Sequence, residues 1–232
     1  MLAVLILGFL IGLQHAMEAD HVAAVASLAT HSRSLGDTAR QGLVWGMGHT
    51  LTLLFFAGLV LALDTVVPER LAQGLEFAVG VMLLLLGLDV LRRLYRERIH
   101  FHVHNHGRLR HLHAHAHPQA GDHARDPHRH DHPPGFPFRA LMVGVMHGMA
   151  GSAALILLTM KTVNSPLEGM LYILLFGAGS ITGMVMLAAI IALPLQYSAH
   201  SLTWAHNGLK ALVGLVTLGL GTLVVLSSAN LV

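Results

Sequence analysis

Six apolar stretches of about 20 residues divide this chain of 232 residues, and they constrain its fold more than any other feature. Each stretch is long enough, as an α-helix, to cross about 30 Å of hydrocarbon. The composition agrees, because 54% of the residues are hydrophobic and only 11% are charged, against about 25% in soluble domains. We therefore predict an all-α polytopic membrane protein with six transmembrane helices. The predicted spans are Leu2–Leu28, Arg40–Leu63, Leu71–Leu94, Phe138–Met160, Leu167–Leu195 and Ala205–Leu226.

The third and fourth spans are separated by a segment of different composition, residues 95–137. It holds twelve of the 19 histidines together with many Arg, Pro and Asp residues, so we expect a disordered His-rich loop. Such tracts are typical of metal binding, and we expect this loop to buffer metal ions. The histidines assigned to buffering are His102, His104, His106, His111, His113, His115, His117, His128, His130 and His132. The predicted units are a three-helix unit at 1–94, the loop at 95–137 and a second three-helix unit at 138–232.

The distribution of basic residues predicts the orientation in the membrane. Nine arginines lie in the long loop and its flanks, whereas the connections on the other face carry only Arg70 and Lys161. We therefore expect a multi-pass protein of the inner (cytoplasmic) membrane with its His-rich loop in the cytoplasm and both termini outside. The apolar N-terminus lacks a basic start and a small-residue cleavage motif, so we expect a retained helix. Because the chain has no cysteine, disulfides, thiolate metal sites and a cysteine nucleophile are excluded.

The two halves of the chain resemble each other. The run from Gly12 to Met17, GLQHAM, is similar to the run from Gly144 to Met149, GVMHGM. In the following span WGMGH, which begins at Trp45, is similar to FGAGS, which begins at Phe176. Three spans per repeat make the second half enter from the opposite side of the bilayer. We therefore predict two inverted three-helix repeats, a common transporter plan with the substrate site where the halves meet.

Ionisable residues inside the first span give the clearest functional signal. Such groups are costly in hydrocarbon, usually face the interior of a helix bundle, and bind an ion or a proton. Imidazoles beside carboxylates favour a divalent transition metal. The predicted metal ligands are His15, Glu18, Asp20, His21, His49 and His147. The repeat places Ser152 opposite Asp20 and Ser180 opposite His49, and we expect these two serines and Thr182 to line the same site.

An unbroken helix could not aim all the groups of the first span at one ion. At about 100° per residue, Asp20 points roughly 140° away from His15. Either the helix unwinds near Ala19, as transporter helices do at their sites, or some carboxylates bind the ligating imidazoles rather than the ion. The sequence leaves open which role Glu18 and Asp20 take.

These motifs carry a family resemblance. The run from His15 to His21 resembles the His-x4-Asp-His signature of the nickel/cobalt transporter superfamily, the NicO or NiCoT proteins. The run 46–50 resembles the glycine-histidine motif of its next helix, and 146–152 resembles a second-half motif of the shorter, urease-associated permeases. The resemblance implies a permease for Ni²⁺, with Co²⁺ as an alternative substrate. The positions that match functional residues of the family are His15, Asp20, His21 and His49.

The direction of transport is less constrained. Efflux members of the superfamily carry a His-rich cytoplasmic loop but tend to lose the aspartate of the first motif. This chain has both the loop and Asp20, so we favour uptake, for nickel enzymes such as urease, and keep efflux as the alternative. We expect no enzymatic activity and no prosthetic group. The expected partners are the divalent metal ion, the lipid bilayer and a cytoplasmic metallochaperone, and not nucleic acid.

Two readings from other classes compete with a permease. An intramembrane zinc hydrolase would hold zinc with three histidines and activate water with Glu18 or Asp20, but the chain has no His-Glu-x-x-His motif. A passive metal sensor or store would depend on the loop. Deleting residues 101–132 would abolish the function of a store, whereas a permease would keep appreciable transport.

Overall fold

A computed structural model describes residues 2–32, 34–63, 68–96, 99–106, 109–116, 136–162, 166–201 and 203–229. Within these ranges the chain forms seven helices and one two-stranded sheet. In chain order the elements are α1 (Leu2–His15), α2 (Ala19–Ala29), α3 (Leu35–Leu63), α4 (Glu69–Arg96), β1 (Ile99–His106), β2 (Leu109–Ala116), α5 (Phe138–Thr162), α6 (Pro166–Ser201) and α7 (Thr203–Ser228).

The helices have the apolar character of a membrane protein. Among the described residues, four helical stretches are long and apolar enough to cross a bilayer. They are Leu35–Val60, Glu69–Arg96, Leu167–Ser198 and Trp204–Ser228. The other two predicted spans correspond to the α1–α2 pair and to α5, for which a full crossing stays a prediction. The predicted end of the fifth span at Leu195 is too early, because α6 continues through Pro194 to Ser201.

The first predicted span is broken in the middle of its motif. Helix α1 ends at His15 and α2 begins at Ala19, after Glu18 in extended backbone with φ −63° and ψ 149°. The helix is therefore unwound just before Ala19, which is one of the two alternatives predicted from the sequence. The break frees the side chains on its two sides from a single helical period, so they can face one point.

Helix packing brings the two halves together. Helix α3 packs against α5 and α6, α1 packs against α6, and α4 packs against α7. The larger apolar core includes the fully buried Trp45, Leu83 and Met184. A buried hydrogen bond also joins the halves, since the hydroxyls of Ser27 in α2 and Thr217 in α7 are 3.0 Å apart.

The described part of the His-rich loop differs from the predicted disorder. Strands β1 and β2 pair in antiparallel register, with His102 opposite His113 and His104 opposite His111. The physical reason is a period of two, because apolar residues such as Phe101 alternate with histidines, and such alternation is typical of strands. The remaining buffering histidines, His117, His128, His130 and His132, lie outside the described residues.

Candidate metal centre

Four histidines from four helices meet at the break between α1 and α2. The ring centroid of His21 lies 4.5 Å from that of His15, 4.5 Å from that of His147 and 5.4 Å from that of His49. The rings of His15 and His49 are also 5.4 Å apart. His15 is the last residue of α1, and His21 lies in the first turn of α2. The break between the two helices therefore positions both rings.

Three of these rings are buried and carry nitrogens without a hydrogen-bond partner. The exposed fraction is 2% for His21, 0% for His49 and 2% for His147. Within the described residues, His21 Nε2, both ring nitrogens of His49 and His147 Nδ1 have no partner. Burying polar atoms without a partner is costly, so such atoms call for a ligand. Imidazole nitrogens gathered in this way are suited to a transition-metal ion.

Two carboxylates form hydrogen bonds with three of the imidazole rings. Glu18 Oε1 lies 2.9 Å from His15 Nδ1, and Asp20 Oδ1 lies 3.0 Å from His21 Nδ1. The second oxygen of Asp20 lies 3.2 Å from His147 Nε2, so Asp20 links α2 with α5. A carboxylate on one nitrogen fixes the tautomer of an imidazole and raises the basicity of the other nitrogen.

The donor atoms are close enough to share a cation. In the set His15, His21 and His49, each residue offers a ring nitrogen, and these atoms lie within 4.8 Å of one another. The set Asp20, His21 and His147 meets the same spacing. Since the chain has no cysteine, thiolate ligands are excluded, and the two sets offer nitrogen and oxygen atoms.

A cavity of about 800 Å³ leads to the centre. Its wall includes Glu18 and Asp20 beside the histidines, Glu76 early in α4, and Ser227 at the end of α7. The side chain of Glu18 is 56% exposed. The predicted orientation places the start of α4 and the end of α7 on the outer face. A cavity with these acidic walls would serve as an acidic entrance for a cation on that side.

The opposite ends of the helices are tied together by charged groups. Asp89 in α4 lies 2.8 Å from Arg139 in α5, 3.3 Å from Arg93 and 3.3 Å from His31, which follows α2. Burial, and secondarily the charge of Arg93, lowers the pKa of His31 from its usual value. This network joins α2, α4 and α5 on the side predicted to face the cytoplasm.

The second-half positions predicted from the repeat do not share the donors' environment. Ser180 is buried, but its hydroxyl donates to the carbonyl oxygen of Gly12 at 3.1 Å and so joins α6 to α1. The hydroxyl of Thr182 donates to the carbonyl of Ala178 on an exposed face, away from the cavity wall. Two helical positions separate Thr182 from Ser180, which is about 200° of rotation, so the two side chains lie on different faces of α6, and a lining role for Thr182 stays a prediction. The side chain of Ser152 lies outside the described residues.

Aromatic residues complete the centre, and the sequence did not assign them to it. The ring of Trp45 lies 5.5 Å from that of His21 and 5.8 Å from that of His147, and Phe176 lies 5.2 Å from His15. Both residues precede a Gly-x-Gly run and occupy matching positions in the two halves. This shared position was the signal that could have identified them.

Comparison with known proteins supplies a relative. The urease accessory protein UreH of Bacillus sp. (strain TB-90) is 37% identical over 222 residues, which cover 94% of this chain and 88% of that protein. No protein-family model and no solved structure matches the chain. At this coverage the alignment spans both halves of the chain and the loop between them. The chain therefore belongs to the family of the urease accessory protein UreH.

Proposed function

We propose that the protein is a secondary permease that carries Ni²⁺ into the cell, with Co²⁺ as an alternative substrate. The observation that carries the proposal is the meeting of three buried imidazoles with unpartnered nitrogens, from α2, α3 and α5, beside a cavity with acidic walls. Nitrogen and oxygen donors suit Ni²⁺. The name of the relative adds support, since it is called an accessory protein of urease, a nickel enzyme.

Transport would begin in the acidic entrance. The carboxylates of Glu18 and Glu76 on the cavity wall would attract a hydrated divalent cation. His15, His21 and His49 would then replace its water molecules, and Glu18 and Asp20 would keep the rings in the binding tautomer. Release on the other side would require the Asp89 network to separate, because it ties α4 to α2 and α5 there.

We also propose that units 1–94 and 138–232 are inverted repeats in the membrane. Packing contacts that exchange between the halves support this. A Cβ built at Gly12 would meet the backbone of Phe176, and one built at the matching Gly144 would meet the backbone of Trp45, which matches Phe176. If α1 corresponds to α5, α3 to α6 and α4 to α7, the packed pair α1–α6 corresponds to the packed pair α3–α5. The packed pair α4–α7 then corresponds to itself.

The function is tested with radiolabelled Ni²⁺ in right-side-out and everted membrane vesicles. We expect accumulation in right-side-out vesicles that is lost in His49→Ala and kept in the control His206→Ala, a histidine of α7 that lies outside the centre. Accumulation confined to everted vesicles would assign efflux instead. If a lipid or peptide were hydrolysed with no flux in either preparation, a zinc hydrolase would replace the permease.

We propose that the His-rich hairpin buffers the ion after its release. The support is its register, which places histidines opposite histidines, as at 102 and 113. The combined substitutions His102→Asn, His104→Asn, His111→Asn and His113→Asn should reduce the number of Ni²⁺ ions bound per chain. They should leave the initial rate of uptake within about twofold, because a buffer acts on the ion only after its release. An abolished initial rate would instead assign the loop an essential role.

A further inference from the structure

Among the described residues, two donor sets can each hold one cation, and they share one side chain. The imidazole position consists of His15, His21 and His49, and the carboxylate position consists of Asp20, His21 and His147. Donors about 2.1 Å from one ion can be at most about 4.2 Å apart, so each set, with its donors within 4.8 Å, needs at most a small inward shift to bind an ion. No larger described set has its donors within 4.8 Å, so one ion cannot bind all five residues in this arrangement.

The shared side chain is His21, and its two ring nitrogens have different surroundings. Its Nδ1 lies 3.0 Å from Asp20 Oδ1, while its Nε2 is buried without a partner. Its ring centroid is 4.5 Å from the rings of both His15 and His147. The ring of His21 therefore stands between the two positions and can serve either one.

We infer that the centre offers the divalent metal ion two alternative positions, and that the ion passes from one to the other around His21 during transport. This inference rests on the proposed permease function. One chain binds one ion at a time, because both positions need the same imidazole and two divalent cations across a single ring would repel each other.

Asp20 changes its role between the two positions. With the ion in the imidazole position, Asp20 accepts hydrogen bonds from His21 and His147 and orients both rings. With the ion in the carboxylate position, the ion lies where those hydrogen bonds were, and Asp20 becomes a ligand. His21 then releases the proton of Nδ1 and takes one on Nε2, and His147 releases the proton of Nε2 and takes one on Nδ1, so both rings stay neutral. The two roles left open for this carboxylate by the sequence are thus successive.

The two positions give the ion different surroundings. The imidazole position supplies three neutral nitrogens, and the buried His49 belongs only to it. The carboxylate position supplies two nitrogens and a negative charge, and His147 belongs only to it. Removing His49 or His147 therefore separates the positions without touching the shared ring.

The test uses the purified full-length protein in detergent with Ni²⁺ or Co²⁺ alone. X-ray absorption counts the imidazoles bound to Ni²⁺, and the visible spectrum of Co²⁺ reports its ligands. We expect one ion per wild-type chain. In His49→Ala it should be bound by two imidazoles and a carboxylate, and in His147→Ala by three imidazoles. Both variants should bind one ion and transport it at least about 10-fold more slowly, because the transfer is blocked.

Two results would overturn the inference while leaving the permease intact. The first is that neither His49→Ala nor His147→Ala binds an ion, although the wild type transports Ni²⁺. The second is that each wild-type chain binds two ions. If a variant fails to fold, His49→Gln or His147→Gln replaces it, since glutamine fills much of the same volume. Wild-type protein that neither binds nor transports Ni²⁺ would overturn the proposed function itself.

Discussion

The two halves of the molecule share their packing and differ in their chemistry. Matching glycines approach matching backbone positions, as Gly12 does at Phe176 and Gly144 at Trp45. Yet the first half supplies four of the five donors in the two cation sets, and the second supplies only His147. A close approach of helix backbones is needed on both sides of the interface, whereas one ion needs only one set of donors. The likeness of the two halves therefore lies in how their helices pack and not in the residues that could bind an ion.

The largest effect should come from making the halves chemically alike. His49 and Ser180 occupy matching positions in the two halves, so His49→Ser makes the two positions identical. We expect Ni²⁺ transport in proteoliposomes to fall at least about 100-fold, because a buried donor of the imidazole position is lost. Stability should change little, because neither nitrogen of His49 has a hydrogen-bond partner.

Ser180→Ala is the matched control for that substitution. It removes a hydrogen bond to the carbonyl of Gly12, which should cost about 1 kcal/mol of unfolding free energy and leave transport largely intact. Equal losses of transport in His49→Ser and Ser180→Ala would mean that both positions supply donors. The chemical difference between the two halves would then be refuted.

A second chemical contrast lies at the aligned positions Asp20 and Ser152. Asp20→Asn should weaken Ni²⁺ binding about 10- to 100-fold, since an amide cannot accept from both His21 and His147 as the carboxylate does. Calorimetry on the detergent-purified protein measures the affinity. Ser152→Ala should weaken binding much less. A comparable loss there would place Ser152 at the ion, as the repeat predicted.

Local signals predicted the centre better than they predicted its surroundings. Ionisable groups inside an apolar run are visible in the sequence, which is why Asp20 and the break near Ala19 could be anticipated. The contact of Trp45 with two imidazole rings depends on how α3 meets α2 and α5, which no local pattern encodes. The repeat aligned Ser180 with His49, but such an alignment fixes a register and does not say what a side chain contacts, which for Ser180 is the carbonyl of Gly12.

The hairpin shows a second limit of sequence interpretation. Composition alone, with many histidines and few apolar residues, favoured disorder for the whole loop. The alternation of Phe101 and Val103 with histidines was present in the same sequence and favours a strand. Periodicity over eight residues was the better guide to β1 than average composition over the segment.

The shared packing can be tested with a symmetric pair of substitutions. Gly12→Ala and Gly144→Ala each push a methyl group into the backbone of the opposite half, so each should lower the unfolding free energy by about 1–3 kcal/mol. Gly219→Ala is the control, because a Cβ there meets nothing within 4 Å. Thermal unfolding in detergent measures all three. A large loss in only one of the pair would argue against equivalent interfaces.

The smallest effect concerns the ion pair that joins the halves at the end opposite the cavity. His31 lies within 3.3 Å of Asp89, beside Arg93 and Arg139, and its pKa is lowered chiefly by burial. A lowered pKa means that the unfolded chain binds the proton more readily than the folded one. Stability contributed by neutral His31 is therefore full above its usual pKa of about 6.5 and declines as the pH falls below it.

His31→Gln should remove this part of the acid sensitivity. We expect the fall in melting temperature between about pH 7.5 and pH 5.5 to be smaller in the variant than in the wild type, by less than the glycine substitutions cost. Taking the difference between two proteins at each pH cancels the titration of the central histidines, which both retain. An unchanged pH dependence would mean that His31 binds protons equally well in the folded and unfolded chains. In that case the ion pair of Asp89 with Arg139 would hold the two halves together at this end without a contribution from the histidine.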